Sequence, residues 1–291
     1  MLLAIILAAS SFPVGAAITH DLPPEVIMFI RFFLAGALFA PFVLIKHGMA
    51  PPTIRSLLNY NILSIPLVIF FWCMFESLRY TSTLNTGALY TIVPAITALF
   101  ALLINGEITG KIRSFGLILG TFGALWIVFR GNLNAFLGLE VNYGDFIFFL
   151  GCLFLGLYNP LVKRLHQKEP MEVLTFWVLI SGSIWLFVAS LSQGITQINW
   201  YNIEQNVYLG VAYLALFSTL ITFFIINLCT IKIGATKVAA YGFLTPVFVI
   251  IMSLMFGLEP FEMATMPGLL LIIGAMFLIQ RDGTNAKDNN S

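Results

Sequence analysis

The 291-residue sequence is poor in charge. Asp, Glu, Lys and Arg make up 9% of it, hydrophobic residues make up 59%, and the mean hydropathy is +0.97. An average soluble domain is about 25% charged and about 45–50% apolar. So few charges cannot cover a surface that faces water, and a formal net charge of +1 gives no basic field that would attract nucleic acid. The composition therefore excludes a pair of soluble domains and predicts a protein that lies in a lipid bilayer.

Cysteine and histidine are also scarce, with three of each. The cysteines lie in apolar runs without a CxxC pair, and no histidine has the spacing of a metal ligand. The segment GEITGK (106–111) lacks the spacer and the final Ser or Thr of a phosphate-binding loop. Ser10 and Ser11 have no visible base that would make either a nucleophile. We therefore predict that the protein is not an enzyme and that it has no cofactor and no metal.

Most of the sequence consists of long apolar runs. A helix needs about 20 apolar residues to cross a hydrocarbon core of roughly 30 Å, and these runs are too long and too uniform for barrel strands. The first run lacks the basic residues of a signal peptide, so we expect it to be retained. The composition predicts an all-α polytopic membrane protein with ten transmembrane helices. The ten runs are 1–18, 24–45, 57–78, 85–104, 112–129, 143–162, 171–191, 207–230, 238–257 and 265–280.

Basic residues are unevenly distributed over the connections between these runs. Cytoplasmic connections of membrane proteins carry an excess of Lys and Arg. With the N-terminus inside, only Arg79 and Arg130 fall at external ends, and Arg31 falls within a span. Both termini are therefore predicted to be cytoplasmic, with a polar tail at 282–291. The cytoplasmic basic residues are Lys46, Arg55, Lys111, Arg113, Lys163, Arg164, Lys168, Lys232, Lys237, Arg281 and Lys287.

The second half of the chain repeats the first. At a shift of 147 residues, SSFPVGAAITHDLPPEV (10–26) lies over LYNPLVKRLHQKEPMEV (157–173), and two prolines and a Glu-Val pair coincide. At a shift of 152 residues, Pro94 lies over Pro246, and each is followed thirteen residues later by Glu. An ordered series of such matches indicates an internal duplication.

The predicted units are residues 1–130 (helices 1–5) and 143–281 (helices 6–10). Because five is an odd number, the second unit enters the membrane from the opposite side. A 5+5 inverted repeat of this kind is typical of secondary transporters, since two equivalent halves allow two conformations that open to opposite sides. A duplicated bundle without a transport role is the alternative.

The segment YTSTLNTGALYTIVPAITALFALLINGEITGKIRSFGLILGTFGALWIVF (80–129) resembles the EamA domain of the drug/metabolite transporter superfamily. It has a polar turn, a small-residue helix with a central Pro, a Gly-Glu turn and a closing helix with spaced glycines. The copy in 232–280 keeps Pro246 and Glu259 but has Leu258 in place of the glycine.

The segment FIRFFLAGAL (29–38) is similar to the Arg-bearing second helix of the same family, and the second copy has Val178 in place of that Arg. The resemblance covers nearly the whole chain. It implies ten helices in a 5+5 inverted repeat, and export or uptake of small metabolites across an inner membrane. It does not fix a substrate, since members of the family carry amino acids, nucleotide-related compounds and other metabolites.

The leading functional hypothesis is a secondary membrane transporter that moves small organic metabolites, amino acids or related compounds, by alternating access. The alternative is a non-transporting membrane scaffold or receptor on the same duplicated bundle. The expected partners are the metabolite and the lipid bilayer, with no nucleic acid, and the chain is expected to be a monomer or a homodimer.

Two ionisable groups inside the spans are candidates for function, because charge within a bilayer is costly. Arg31 lies about seven residues inside its helix, roughly 10 Å from the outer end at about 1.5 Å per residue. Glu76 lies at a comparable depth in the third span. We favour an interhelical ion pair between them, since the second repeat lacks both charges. The alternatives are that Arg31 binds an anionic substrate group or that Glu76 takes up a coupling proton.

Polar aromatic and amide side chains are candidates for the wall of a substrate cavity. An amide that faced lipid would be unsatisfied, although interfacial Tyr and Trp are often belt residues. Tyr90 is expected to start the fourth helix and Tyr241 the ninth. We expect a central cavity with aromatic walls and few fixed charges, which suits amphipathic metabolites. The candidates are Ser10, Ser11, Trp72, Glu76, Tyr90, Tyr158, Asn159, Asn227 and Tyr241.

Matched prolines and spaced glycines predict where helices bend and where they meet. Pro94 and Pro246 each remove a backbone hydrogen bond, so both are hinge candidates. Small residues allow close contact of the fifth and tenth spans, either as a scaffold or as a dimer face. These are Gly116, Gly120, Gly123, Gly268 and Gly274.

Overall fold

The computed structural model describes residues 1–48, 52–108, 110–129, 131–132, 142–257 and 263–288. Over these ranges every regular element is a helix. The α-helices are α1 (Leu2–Ala9), α2 (Ser11–Ile18), α3 (Pro24–His47), α4 (Ile54–Ser77), α5 (Thr83–Leu89), α6 (Val93–Asn105), α7 (Lys111–Val128), α8 (Tyr143–Leu165), α9 (Met171–Ser192), α10 (Gln205–Tyr213), α11 (Thr222–Ile233), α12 (Ala235–Ala240), α13 (Thr245–Met255) and α14 (Met266–Asp288).

Seven helical runs in the described part are long and apolar enough to cross a membrane. They are α3, α4, α5 with α6, α8, α9, α10 with α11, and α12 with α13. Leu2–Ile18 and Met263–Ile279 are shorter apolar helices, and α7 has 18 residues. The all-helical, multi-pass architecture is therefore confirmed, whereas the count of ten spans stays a prediction.

The helix α14 is longer than the sequence predicts. Its backbone stays helical to Asp288, through most of the segment 282–291 that was expected to be a polar tail. No proline follows Pro267, so nothing in the local chemistry forces the helix to end sooner. Residues 289–291 lie outside the described ranges.

Two of the long runs are broken at matched positions. A 3₁₀ turn at Tyr90–Ile92 separates α5 from α6, and a 3₁₀ turn at Tyr241–Leu244 separates α12 from α13. Tyr90 and Tyr241 therefore lie at these breaks and not at the starts of the helices. Pro94 and Pro246 lie in the first turn of the half-helix that follows each break. Proline is tolerated there because the N–H group that it lacks has no helical partner in a first turn.

A third run, Gln205–Ile233, contains a π-helical segment at Leu214–Ile221. The Thr222 hydroxyl donates a hydrogen bond to the Phe217 carbonyl oxygen at 2.9 Å. π-Helical turns widen the backbone, and they are frequent at functional sites. The segment contains no Gly or Pro, so no local sequence pattern predicts the π-helical geometry.

The glycines of α7 and α14 face each other where these two helices cross. A Cβ on Gly123 would lie 2.8 Å from the Gly268 carbonyl oxygen, and one on Gly268 would lie 2.7 Å from the Gly123 carbonyl oxygen. Gly116 meets Ile279, whereas Gly274 has only Leu119 at 4.0 Å. Of the two interpretations that the sequence left open, the structure supports the scaffold, because Gly123 and Gly268 bring α7 and α14 together within one chain, whereas Gly120 lies against Phe243.

Candidate functional site

A small central cavity of about 40 Å³ lies among α1, α2, α4, α8 and α11 and the two broken helices. Four of the nine cavity candidates, Ser11, Tyr90, Tyr158 and Asn159, line it. No Asp, Glu, Lys or Arg side chain is among its lining residues in the described part of the chain. The remaining wall is largely apolar: Met1, Ile5, Ala8, Phe12, Phe70, Phe71, Met74, Val93, Leu155, Ser218, Thr222, Phe223, Ile226, Val238, Ala239 and Gly242.

Phenylalanine forms most of the aromatic wall, and the sequence did not single it out. The ring of Phe12 packs edge-on against Tyr90 and against Phe148, and Phe70 contacts Tyr90. With 28 phenylalanines in the chain, the residue type alone does not separate rings at a cavity from rings that face lipid.

Asn227 lies behind the cavity wall. The Tyr158 hydroxyl donates to the Asn227 Oδ1 at 3.0 Å, and the Asn227 Nδ2 donates to the Thr175 hydroxyl at 3.0 Å. Because Asn227 is fully buried, these two bonds satisfy an amide that would otherwise destabilise the bundle. The amide fixes the orientation of Tyr158, whose ring faces the cavity, so its contribution to the cavity is indirect.

Two serines join the α1–α2 junction to the end of α10 and to the π-helical segment that follows it. The Tyr213 hydroxyl donates to the Ser10 Oγ at 2.9 Å, and the Ser11 and Ser218 hydroxyls are hydrogen-bonded to each other. Ser218 also donates to the Leu7 carbonyl oxygen at 2.8 Å. Ser11 thus reaches the cavity, whereas Ser10 lies outside its lining and bonds to Tyr213.

The broken helices touch beside the cavity. A Cβ on Gly242 would lie 3.1 Å from the Tyr90 ring and 3.9 Å from the Pro94 Cγ. Gly242 therefore lets the second 3₁₀ turn approach the first. Its neighbour Tyr241 was a candidate for the wall, but it is not among the lining residues.

Trp72 and Glu76 lie at a different site from the central cavity. They line a polar pocket of about 410 Å³, together with His20, Asp21, Leu22, Pro23, Pro24, Glu25, Arg79 and Gln193. The Trp72 Nε1 donates to the Glu25 Oε1 at 2.7 Å, and the Arg79 Nη1 lies 3.3 Å from the Glu76 Oε2. Trp72 and Glu76 are four residues apart, so they lie on one face of α4, and that face borders this second pocket, here called the outer pocket.

The ion pair between Arg31 and Glu76 is not formed. Arg31 is fully buried, and its Nε donates to the Thr219 hydroxyl at 2.5 Å. Its Nη2 lies 3.3 Å from the Ser218 carbonyl oxygen, and its guanidinium carbon lies 4.2 Å from the centre of the Phe71 ring. Glu76 instead pairs with Arg79, one turn further along the chain, because it faces the outer pocket.

Polar contacts close the bundle at both ends. At the end predicted to be cytoplasmic, the Lys46 Nζ lies 2.6 Å from the Glu172 Oε1, and the Lys163 Nζ lies 2.8 Å from the Glu107 Oε1. At the opposite end, the Thr81 hydroxyl donates to the Asp145 Oδ1 at 2.6 Å. Among the described residues, no group of three or more His, Cys, Asp or Glu side chains could hold a metal ion.

Comparison with known protein families identifies the chain. The EamA-like transporter family matches residues 1–129 and 142–281, which is most of the sequence in two consecutive copies. The protein belongs to the EamA-like transporter family. The resemblance that the sequence motifs indicated is thereby confirmed, and the EamA-like chain is a multi-pass membrane protein of a family of transporters.

Relatives of this EamA-like protein carry the same description. The "Uncharacterized transporter YyaM" of Bacillus subtilis (strain 168) is 26% identical over 84% of this chain and 80% of the relative. An "Uncharacterized transporter" of Archaeoglobus fulgidus is 25% identical over 89% of this chain and 88% of its own length. The "Uncharacterized inner membrane transporter YedA" of Escherichia coli (strain K12) is 23% identical over 88% of this chain and 81% of its own length.

A solved protein structure superimposes on the EamA-like chain with a TM-score of 0.75, covering 96% of each chain at 15% sequence identity. At that identity the likeness shows the fold alone. Because it extends over nearly the whole length of both chains, the described helices are arranged as in a fold that is already known from a solved structure.

Proposed function

We propose that this EamA-like protein is a secondary transporter that moves a small organic metabolite, an amino acid or a related compound, across the inner (plasma) membrane by alternating access. The observation that carries the proposal is the central cavity, which has aromatic walls and no charged side chain among its described lining. A cavity of this kind suits an amphipathic solute, because apolar walls bury most of the ligand and a few polar groups orient it.

Two matched breaks beside the cavity support alternating access. The Tyr90–Ile92 and Tyr241–Leu244 turns lie at equivalent places in the two copies that the family matches. In transporters built from inverted repeats, discontinuous helices surround the substrate, and one repeat rocks against the other. We infer that residues 1–130 and 143–281 form such a 5+5 pair of ten helices, in which the two breaks are the bending points.

The lining of the cavity includes helix ends that the basic residues predict to be cytoplasmic. Met1 and Val238 lie near such ends, whereas Met74 lies near the opposite end of α4. At that opposite end, the hydrogen bond between Trp72 and Glu25 joins α4 to α3, and the hydrogen bond between Thr81 and Asp145 joins the α4–α5 connection to α8. We infer a conformation that is closed at the end opposite the predicted cytoplasmic side.

Solute flux in proteoliposomes tests the transport proposal. An untargeted comparison of the metabolites in expressing and non-expressing cells first narrows a broad panel of candidate solutes. Purified protein is then reconstituted, and the flux of each labelled candidate is measured. Flux is expected for at least one small organic solute, and the Gly242→Leu variant should abolish it, because the added side chain would press on Tyr90 and fill the cavity. Absence of flux for every solute, with folded protein verified, would favour the scaffold or receptor alternative.

The orientation of the chain can be tested separately. We expect a cysteine introduced at Gln197 to react with a membrane-impermeant maleimide in intact cells, and a cysteine at Lys168 to stay unlabelled. Both positions are exposed to solvent, so a difference in labelling reports the side of the membrane and not burial. Unsubstituted protein gives the background from the native cysteines. Labelling of the cysteine at 168, with that at 197 protected, would place both termini outside and reverse the topology.

A further inference from the structure

Arg31 is a fully buried cation that has no carboxylate partner among the described residues. None of the ion pairs among the described residues involves it, and its Nη1 has no hydrogen-bond acceptor. Its other nitrogens contact only neutral groups: the Thr219 hydroxyl, the Ser218 carbonyl oxygen and the Ser11 hydroxyl at 3.5 Å. A guanidinium that is removed from water in this way is held at a substantial free-energy cost.

The neutral contacts offset that cost only in part. The ring face of Phe71 lies 4.2 Å from the guanidinium carbon, and one carbonyl of the π-helical segment accepts a hydrogen bond from it. Structural buried charges are normally paired or fully hydrogen-bonded. The Nη1 donor of Arg31 is therefore available to a further acceptor, and an anionic group would offset the cost of the buried charge best.

Arg31 and the central cavity share one wall. Ser11, Ser218 and Phe71 each contact the Arg31 side chain, and each also lines the cavity. A ligand in the cavity is therefore separated from the guanidinium by a single layer of side chains. Ser218 belongs to the π-helical segment, where a small change in helical register would move this layer.

The charges of the outer pocket oppose entry of an anion from that side. Asp21, Glu25 and Glu76 line it, against the single cation Arg79 and the imidazole of His20. The wall of the central cavity carries no acidic side chain among the described residues, so a negative charge meets no repulsion there. The central cavity is therefore the side from which an anion would approach Arg31 with less electrostatic repulsion.

We propose that Arg31 recognises the carboxylate of the transported solute, which would be a small carboxylate-bearing compound whose aliphatic or aromatic body packs against the phenylalanine wall. The proposal rests on the transport function inferred above and names the chemical class of its substrate. Arginine suits this role because its planar guanidinium donates two parallel hydrogen bonds to one carboxylate. The second repeat has Val178 at the matched position, so the molecule holds one such cation and not a symmetric pair.

A matched set of three probes separates charge from shape. Benzoate, benzamide and benzylammonium have the same ring and differ in the group that Arg31 would meet. We expect benzoate to bind the purified wild-type protein at least about tenfold more tightly than benzamide, as measured by ligand-dependent intrinsic fluorescence, and benzylammonium to bind most weakly. Equal binding of benzoate and benzamide by the wild-type protein, or binding of neither, overturns the proposal.

Variants assign the effect to Arg31. Arg31→Met keeps much of the side-chain volume and removes the charge, so benzoate and benzamide are expected to bind it equally. Arg31→Lys keeps a point charge without the planar fork and is expected to retain part of the preference for benzoate. Arg79→Gln removes the cation of the outer pocket and should leave the preference unchanged. If Arg31→Met does not fold, the comparison of Arg31→Lys with Arg79→Gln tests the role of Arg31. Loss of the preference for benzoate over benzamide in Arg79→Gln would overturn the assignment of that preference to Arg31.

Failure of this inference is distinguishable from failure of the transport proposal. If a neutral or cationic solute is transported equally by wild-type protein and Arg31→Met, the transport function stands and the role of Arg31 as carboxylate site is wrong. If benzoate binding depends on Arg31 while no solute crosses the membrane, the binding site stands and the protein is a receptor.

Discussion

Gly268→Ala is expected to lower the thermal unfolding temperature of the detergent-purified protein by several degrees, while Gly274→Ala does not. A Cβ on Gly268 would lie 2.7 Å from the Gly123 carbonyl oxygen, and a backbone atom cannot rotate away as a side chain can. The helices α7 and α14 must therefore separate. Overpacking of this kind typically costs about 1–3 kcal/mol.

Gly274→Ala is the matched control because it lies on the same helix. A Cβ there would meet only the Leu119 Cδ2, at 4.0 Å. Both substitutions gain the same helix propensity, about 1 kcal/mol in favour of Ala, so their difference isolates the contact between helices. Equal unfolding temperatures for the two variants would contradict the close approach of α7 and α14, and size-exclusion chromatography confirms that each variant remains dispersed.

Pro94→Ala and Pro246→Ala are each expected to reduce solute flux several-fold without a matching loss of equilibrium binding. Each proline begins a half-helix behind a 3₁₀ turn, so alanine would favour one continuous helix over Thr83–Asn105 or Ala235–Met255. In the proposed alternating-access cycle, straightening one of these helices would disfavour one of the two open conformations. Neither proline lines the cavity, so the binding surface is unchanged.

Pro41→Ala serves as the control for these hinge variants. Pro41 lies inside the unbroken helix α3 and is exposed, so its replacement should leave the flux at the parental rate. Flux and binding are measured on the same purified preparations, with the solute that the proteoliposome screen identifies. If Pro94→Ala and Pro246→Ala both transport at the parental rate, the two prolines are packing features and the bending mechanism is wrong.

Much of the helical framework could be predicted from apolar runs and their boundaries. The seventh predicted span, 171–191, corresponds to Met171–Ser192, and the sixth, 143–162, corresponds to Tyr143–Leu165. Boundaries of this type are local, because Pro170 cannot continue a helix N-terminally and Asn142 caps the helix with Asp145. Hydropathy and capping chemistry are sufficient for such elements.

The irregular segments could not be predicted, because tertiary contacts stabilise them. Leu214–Ile221 is uniformly apolar apart from Ser218 and Thr219, and it has the pattern of an ordinary membrane helix. In the folded protein, Arg31 donates to the Ser218 carbonyl oxygen and to the Thr219 hydroxyl. A residue nearly 190 positions away in sequence thus binds the backbone of the π-helical segment, and no local pattern encodes that contact.

For the candidate site, the sequence predicts how deep a residue lies along its helix but not which way its side chain points. The position of Arg31 and Glu76 along their helices is set by counting residues, but the side that each presents depends on how the helices are rotated. Arg31 lies against Phe71 and Thr219, whereas Glu76 faces Arg79 in the outer pocket. The polar candidates Ser11, Tyr90, Tyr158 and Asn159 do meet at one cavity, while its phenylalanine wall carries no sequence signal of its own.

The closing contacts at the two ends of the bundle differ in their chemistry, and this makes the conformational equilibrium sensitive to ionic strength. Lys46 with Glu172 and Lys163 with Glu107 are ion pairs that bridge helices, and both lysines are half-exposed. Dissolved salt screens such pairs, with a Debye length of about 10 Å at 0.1 M. The contacts of Trp72 with Glu25 and of Thr81 with Asp145 join a carboxylate to a neutral donor, which salt screens far less. In the proposed alternating-access cycle, added salt would therefore loosen one end of the molecule and leave the other closed, so the electrolyte on one side of the membrane would bias which way the cavity opens.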